Sequence, residues 1–253
     1  MALDLLQYAF IILIGFVAGF INTVAGGGSL ISLPILIFMG LPGSVANATS
    51  RVAIMAQNVF AVGGFYSKGI SLPLPYSLIL AAGSLIGGLI GATLAVDIPD
   101  ALFNRILAVI MVLVVISMVV KKPSVTSDGA ERLSAKYQVL GFISFLLLGI
   151  YGGFIQAGIG FLVIAALSHI NHMNLVKINY IKVFAAVVYT GVSLVIFTLE
   201  NKIVWSTGLI LAIGQGFGGW YASRWSVEKG DLWIKRVMIL AVIGLALKLW
   251  FFS

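Results

Sequence analysis

Two clusters of small and polar residues interrupt long apolar runs in this sequence, and they are the places where a solute could be held. The first comprises Asn22, Thr23, Gly26, Gly27, Gly28 and Ser29; Gln156, Gly158 and Gly160 stand in matching places later in the chain. A glycine cluster ends a helix and leaves backbone N–H and C=O groups unpaired. Hydrocarbon penalises each such group, so a break must face protein or a water-filled cavity. The helix that restarts beyond it points N–H groups and the positive end of its dipole at whatever binds there, which favours an anion. The alternative is that Asn22 and Gln156 only cap frayed helix ends.

A second cluster follows each break: Asn47, Thr49, Ser50, Arg51, Gln57 and Asn58 in one case, Lys177, Asn179, Tyr180 and Lys182 in the other. Arg51 and Lys182 could be two halves of one anion clamp, or they could be cations snorkelling to the membrane surface. Every acidic residue falls at the end of an apolar run or in a polar stretch. Cation carriers and proton pumps usually place a carboxylate in mid-membrane, so this interior suits an anion. Ser29 has no candidate base nearby in sequence, and His169 and His172 have no third ligand nearby, so no catalytic residue, metal site or cofactor is expected.

The elements that must position these residues are membrane helices. Of 253 residues, 61% are hydrophobic and 9% charged, against roughly a quarter charged in soluble domains. Apolar stretches of about 20 residues, enough to cross about 30 Å of hydrocarbon, are expected as helices over 5–25, 44–66, 76–96, 101–120, 137–157, 174–199, 205–225 and 232–252. Two shorter runs, 29–39 and 159–170, each follow a glycine cluster and read as half-helices. The first stretch lacks a basic n-region and reads as retained in the membrane. The absence of cysteine excludes disulfides and thiolate metal sites. The excess of 15 basic over 8 acidic residues is explained by orientation in the bilayer, with no nucleic-acid partner.

The chain repeats itself. Leu78-Ile79-Leu80-Ala81-x-Gly83-x3-Gly87-Gly88 recurs as Leu209-Ile210-Leu211-Ala212-x-Gly214-x3-Gly218-Gly219, a shift of 131 that also carries Arg51 onto Lys182 and Asp100 onto Asp231. Upstream, Gly15-x3-Gly19-Phe20-Ile21-Asn22 matches Gly149-x3-Gly153-Phe154-Ile155-Gln156. The expected fold is an all-α integral membrane bundle of two homologous halves, 1–120 and 137–253, joined by a polar loop at 121–136. If each half-helix completes a crossing, the halves are inverted and Lys and Arg divide eleven against four. The positive-inside rule then puts the 121–136 loop in the cytoplasm and both termini outside. If the half-helices return to the side they left, the division is 7 against 8 and favours neither orientation.

Gly15-x3-Gly19-x6-Gly26-Gly27-Gly28, followed by Pro34 and Ala48-Thr49-Ser50-Arg51, resembles the sulfite exporter TauE/SafE family over nearly the whole chain. The resemblance implies a multi-pass protein of the bacterial or archaeal cytoplasmic membrane that moves sulfite, sulfoacetate or a related organosulfur anion. Ile159 stands where the family motif has its middle glycine, and two residues are missing there. Export by alternating access is the leading expectation, with the anion between the breaks. The alternatives are an anion channel, an uptake carrier, an intramembrane enzyme or a membrane scaffold. The expected partners are the anion and the bilayer, and assembly as a homo-oligomer is compatible with the sequence.

Overall fold

The structure, a computed structural model, describes residues 5–120 and 131–252. Most of the connecting loop, Lys121 and Lys122 included, and Ser253 lie outside the described residues. The described chain is all helical: α1 (Leu5–Val24), α2 (Ser29–Phe38), α3 (Gly43–Ser67), α4 (Leu74–Val96), α5 (Asp100–Val120), α6 (Ala135–Phe154), α7 (Ile159–Asn171), α8 (Leu175–Leu199) and α9 (Trp205–Phe252). Both short helices form where the glycine clusters predict a restart. Two boundaries differ most from expectation: α6 stops at Phe154, short of the expected 157, and the last two predicted helices are arms of α9, divided only at Gly230, whose φ of 71° and ψ of −174° are non-helical. The charged residues between the arms stay helical because a single left-handed glycine is enough to redirect the chain.

Among the described residues, α1, α4, α6 and α8 are each long and apolar enough to cross a membrane. Helix α3 is as long as α8, but it carries Asn47, Thr49, Ser50, Arg51, Gln57 and Asn58, all buried. The bundle thus turns polar groups inward and leaves Leu6, Phe10, Leu13 and Val17 of α1 exposed along one stripe, with Leu78, Leu85 and Leu89 doing the same on α4. That is the arrangement hydrocarbon requires, since lipid offers polar groups no partner.

Contacts sort the helix ends into two groups. At one end, the starts of α1 and α9 and the end of α2 line a shared cavity of about 670 Å³, and the Ser44 N–H donates to Asp100 Oδ1 at 2.9 Å. At the other end, Lys68 pairs with Glu228 at 2.5 Å and Lys177 with Glu131 at 2.6 Å. There the Asn171 side chain donates to the Arg132 carbonyl at 2.7 Å and accepts from the Tyr76 hydroxyl at 2.9 Å. Helix α2 therefore ends beside the start of α1, and α7 ends beside the start of α6, at the opposite end of the bundle.

Glycine decides which helices pack together. Gly15 and Gly19 of α1 sit on the backbone of α9 around Leu211–Gln215, and Gly214 and Gly218 of α9 sit on Ile12 and Phe16. Helices α4 and α6 repeat the arrangement, with Gly83, Gly87 and Gly91 against Phe142–Phe154 and Gly149 and Gly153 against Ser84–Ala92. Between membrane helices there is no hydrophobic drive, so close backbone approach at small residues supplies the attraction. Both contacts join the first part of the chain to the second.

Candidate functional site

Helices α1 and α6 end in the same way. The N–H groups of Ala25 and Gly26 both donate to the Ile21 carbonyl, at 2.8 and 3.0 Å, and those of Ile155 and Gln156 both donate to Tyr151, at 2.9 and 3.3 Å. The residue five places beyond each shared carbonyl is left-handed, with φ of 91° at Gly26 and 57° at Gln156. Gln156 is thus the structural counterpart of Gly26, whereas the sequence motif aligns it with Asn22. Relative to the motif alignment the glutamine lies four places further on, about one helical turn, inside the turn itself. A non-glycine residue there costs about 1–2 kcal/mol, and its side chain is engaged at both ends. Oε1 accepts from Arg51 Nη1 at 2.6 Å, while Nε2 donates to the Tyr189 and Thr190 hydroxyls at 3.2 and 3.3 Å.

The breaks meet. A Cβ on Gly26 would overlap the backbone of Gly160, and one on Gly160 would overlap Gly26. Gly28 sits equally close to the Ala18 carbonyl and to Asn22, which seats the start of α2 on α1. Ser29 bridges the breaks: its hydroxyl donates to the Gln156 carbonyl at 3.2 Å and accepts from the Gly158 N–H at 3.1 Å. Gly158 is itself left-handed, with φ of 71°.

Each cation reaches across to the other break. Arg51 on α3 donates through Nη1 to the Gly152 carbonyl at 2.5 Å and through Nη2 to the Gly153 carbonyl at 3.0 Å and Asn47 Oδ1 at 3.3 Å. Asn47 Nδ2 takes the Phe154 carbonyl at 2.9 Å. Lys182 on α8 donates to the Asn22 and Thr23 carbonyls at 3.0 and 2.7 Å and to Asn179 Oδ1 at 2.7 Å, and Asn179 Nδ2 takes the Val24 carbonyl at 3.0 Å. The carbonyls that α6 and α1 leave open at their C-termini are thus satisfied by cations, which also suits the negative end of each helix dipole. Neither headgroup snorkels to the surface, since Arg51 is 0% and Lys182 6% exposed.

No Asp or Glu is buried among the described residues. The two cations therefore share an interior without a counter-ion, and a charge removed from water carries an effective penalty of several kcal/mol. The phenyl face of Phe197, 5.6 Å from the Arg51 guanidinium carbon, offsets part of this. Arg51 Nε and Asn58 Nδ2 are buried without a partner. An unmet buried donor costs about 1–3 kcal/mol.

The other predicted residues divide. Asn22 Nδ2 donates to Gln57 Oε1 at 2.9 Å, and Gln57 Nε2 donates to Thr23 Oγ1 at 3.2 Å and to Asn58 Oδ1 at 3.4 Å, so these four form one cluster at the first break. Gly27 lies in the turn between α1 and α2, and its carbonyl accepts from the Leu30 N–H at 3.1 Å. Thr49 is elsewhere, accepting the Val204 N–H at 3.0 Å, and the Ser50 hydroxyl donates within its own helix to the Asn47 carbonyl at 2.8 Å. Tyr180 stacks on Phe65 with ring centres 5.2 Å apart. Sequence reasoning missed Tyr189 and Thr190, which sit in an apolar run. The available signal was the 131 shift, which places Tyr189 on Asn58.

These features define a polytopic helical membrane protein with a polar, helix-broken centre. The chain belongs to the sulfite exporter TauE/SafE family of membrane transporters, which matches residues 11–249. It is similar to a probable membrane transporter protein, ORF9, of Sinorhizobium, 25% identical over 244 residues that cover 95% of this chain and 91% of the relative. A probable membrane transporter protein of Haemophilus influenzae is 26% identical over 94% of this chain and 91% of its own length. The probable membrane transporter protein YfcA of Escherichia coli K12 is 24% identical over 93% and 87%. No solved structure matches the chain.

Proposed function

We propose that the protein exports a small sulfur-containing oxyanion, sulfite or an organosulfonate, held between the two helix breaks and released by movement of one half against the other. The observation that carries this reading is a pair of buried cations, Arg51 and Lys182, with no buried carboxylate among the described residues. An anion entering this interior supplies the missing counter-charge. The family name indicates sulfite, and a sulfonate offers the same three-oxygen acceptor face. With an inside-negative potential, each exported negative charge gains about 2.3 kcal/mol per 100 mV, so export needs no coupling ion.

In this reading the halves, 1–120 and 137–253, are inverted repeats with the lysine-rich end in the cytoplasm. Asp100 accepts from Ser44, and Asp231 accepts from the Leu175 N–H at 3.0 Å, a pair of contacts related by the 131 shift. The starts of α1 and α6 at opposite ends support the same relation. The direct seating of Gly26 on Gly160 makes the centre a gate that must part for passage.

The test is thermal stabilisation of the purified protein by sulfite, sulfoacetate, thiosulfate, taurine and acetate. Saturable stabilisation by sulfite or a sulfonate is expected, approaching about 2.7 kcal/mol at a hundred times Kd. Stabilisation by acetate alone, or by none of these, would remove the reading.

A further inference from the structure

We infer that the anion's path has two stations on α3, at Arg51 Nε and Asn58 Nδ2, and that Asn58 is a substrate-contacting residue. The inference rests on the anion-transport reading above. Both atoms are N–H donors, both are buried, and neither has a partner. Arg51 is 0% and Asn58 2% exposed. Among the described residues, the other unpartnered buried side-chain atoms belong to Ser77, Ser168 and Gln215, on α4, α7 and α9.

The two donors serve different breaks. The Arg51 side chain is fixed on Gly152, Gly153 and Gln156 at the second break. Asn58 is fixed through its Oδ1, which accepts from Gln57, and Gln57 in turn holds Thr23 at the first break. The fixed oxygen leaves Nδ2 as the outstanding group, so the ligand that completes it must accept a hydrogen bond. Arg51 and Asn58 stand seven positions apart on α3, a backbone rise of about 10.5 Å, and their side chains are tied to different breaks, so the two donors mark successive positions. Lys182 has all three protons directed at Asn22, Thr23 and Asn179; it contributes charge to the first station while the amide contributes the contact.

The stations are staggered across the membrane. Arg51 lies nearer the start of α3 at Gly43, and Asn58 lies nearer its end at Ser67. Each should therefore dominate capture from one face.

The test uses radiolabelled sulfite in right-side-out and inside-out vesicles from cells producing the full chain, with Asn58→Asp, Asn58→Leu and Arg51→Lys. Melting of each purified variant confirms folding, and the isosteric Asn58→Asp keeps the acceptor that Gln57 uses. Both Asn58 variants should raise half-saturation by about tenfold to a hundredfold from one face, with a smaller change from the other. Arg51→Lys should show the opposite sidedness. Folded Asn58 variants with wild-type half-saturation on both faces would overturn the inference, as would an equal rise on both. Absence of sulfite transport by the wild type would instead remove the underlying reading.

Discussion

Gly26 and Gly160 meet backbone to backbone, each occupying the space that a Cβ on the other would need. Gly40 has nearly the same φ as Gly26, 92° against 91°, yet a Cβ there would meet nothing. Gly40→Ala therefore isolates the strain of a left-handed alanine, about 1–2 kcal/mol, while Gly26→Ala adds steric overlap to it. Gly26→Ala and Gly160→Ala should each lower the melting temperature more than Gly40→Ala and suppress transport. Gly28→Leu, set against Ala18 and Asn22, should abolish transport while the protein still inserts. Wild-type transport by Gly28→Leu would mean that close seating of α2 is not required.

Neutralising a cation should impair both stability and binding. Arg51→Gln leaves the Gly152 and Gly153 carbonyls without their donors, at about 1–3 kcal/mol each. Arg51→Lys restores charge without the planar fork, so it should recover part of the loss. Lys182→Gln should resemble Arg51→Gln, because it strips the Asn22 and Thr23 carbonyls in the same way. Melting curves with and without the best-stabilising anion separate the two effects. An unchanged melting temperature and dissociation constant in both neutral variants would refute the assigned roles.

Gln156 sets a backbone gain against a side-chain loss. Gln156→Gly relieves about 1–2 kcal/mol of left-handed strain but removes the acceptor of Arg51 and the donor to Tyr189 and Thr190. A hydrogen bond to a charged group is worth about 1.5–3 kcal/mol, so the loss wins and Gln156→Gly should be less stable than wild type. Gln156→Leu keeps the strain and loses the same bonds, so it should be worse still. A stabilised Gln156→Gly would show that the side-chain network contributes little.

The orientation has its own readout. On the inverted-repeat reading proposed above, Lys and Arg divide eleven to four and the C-terminus is expected outside the cell. A C-terminal reporter that is active only in the cytoplasm should stay dark, and one placed in the 121–130 segment should be active. A bright C-terminal reporter would restore the reading in which each half crosses four times.

How much of this was legible beforehand follows from what each signal measures. Length and apolarity mark a membrane helix without regard to its neighbours, so the helical segments, both half-helices and the glycine restarts could be read from composition alone. The end of α2 at Phe38 and of α7 at Asn171 fell within a residue of expectation for that reason. Continuity through the Arg224–Arg236 stretch did not, because charge there resembles a loop and only Gly230 departs from helix geometry.

The centre required the tertiary structure. Sequence marked Arg51 and Lys182 as equivalent through the 131 shift, but not that each caps the broken helix of the other part of the chain. That crossing follows from which helices the glycines allow to touch: α1 with α9 and α4 with α6. The motif likewise aligned Gln156 with Asn22, whereas the structure puts it four places further on, at the left-handed position of Gly26. A pattern along the chain records which residue types are present. Whether a buried cation meets a carbonyl, an anion or the membrane surface depends on distances between segments more than 100 residues apart, and packing alone sets those.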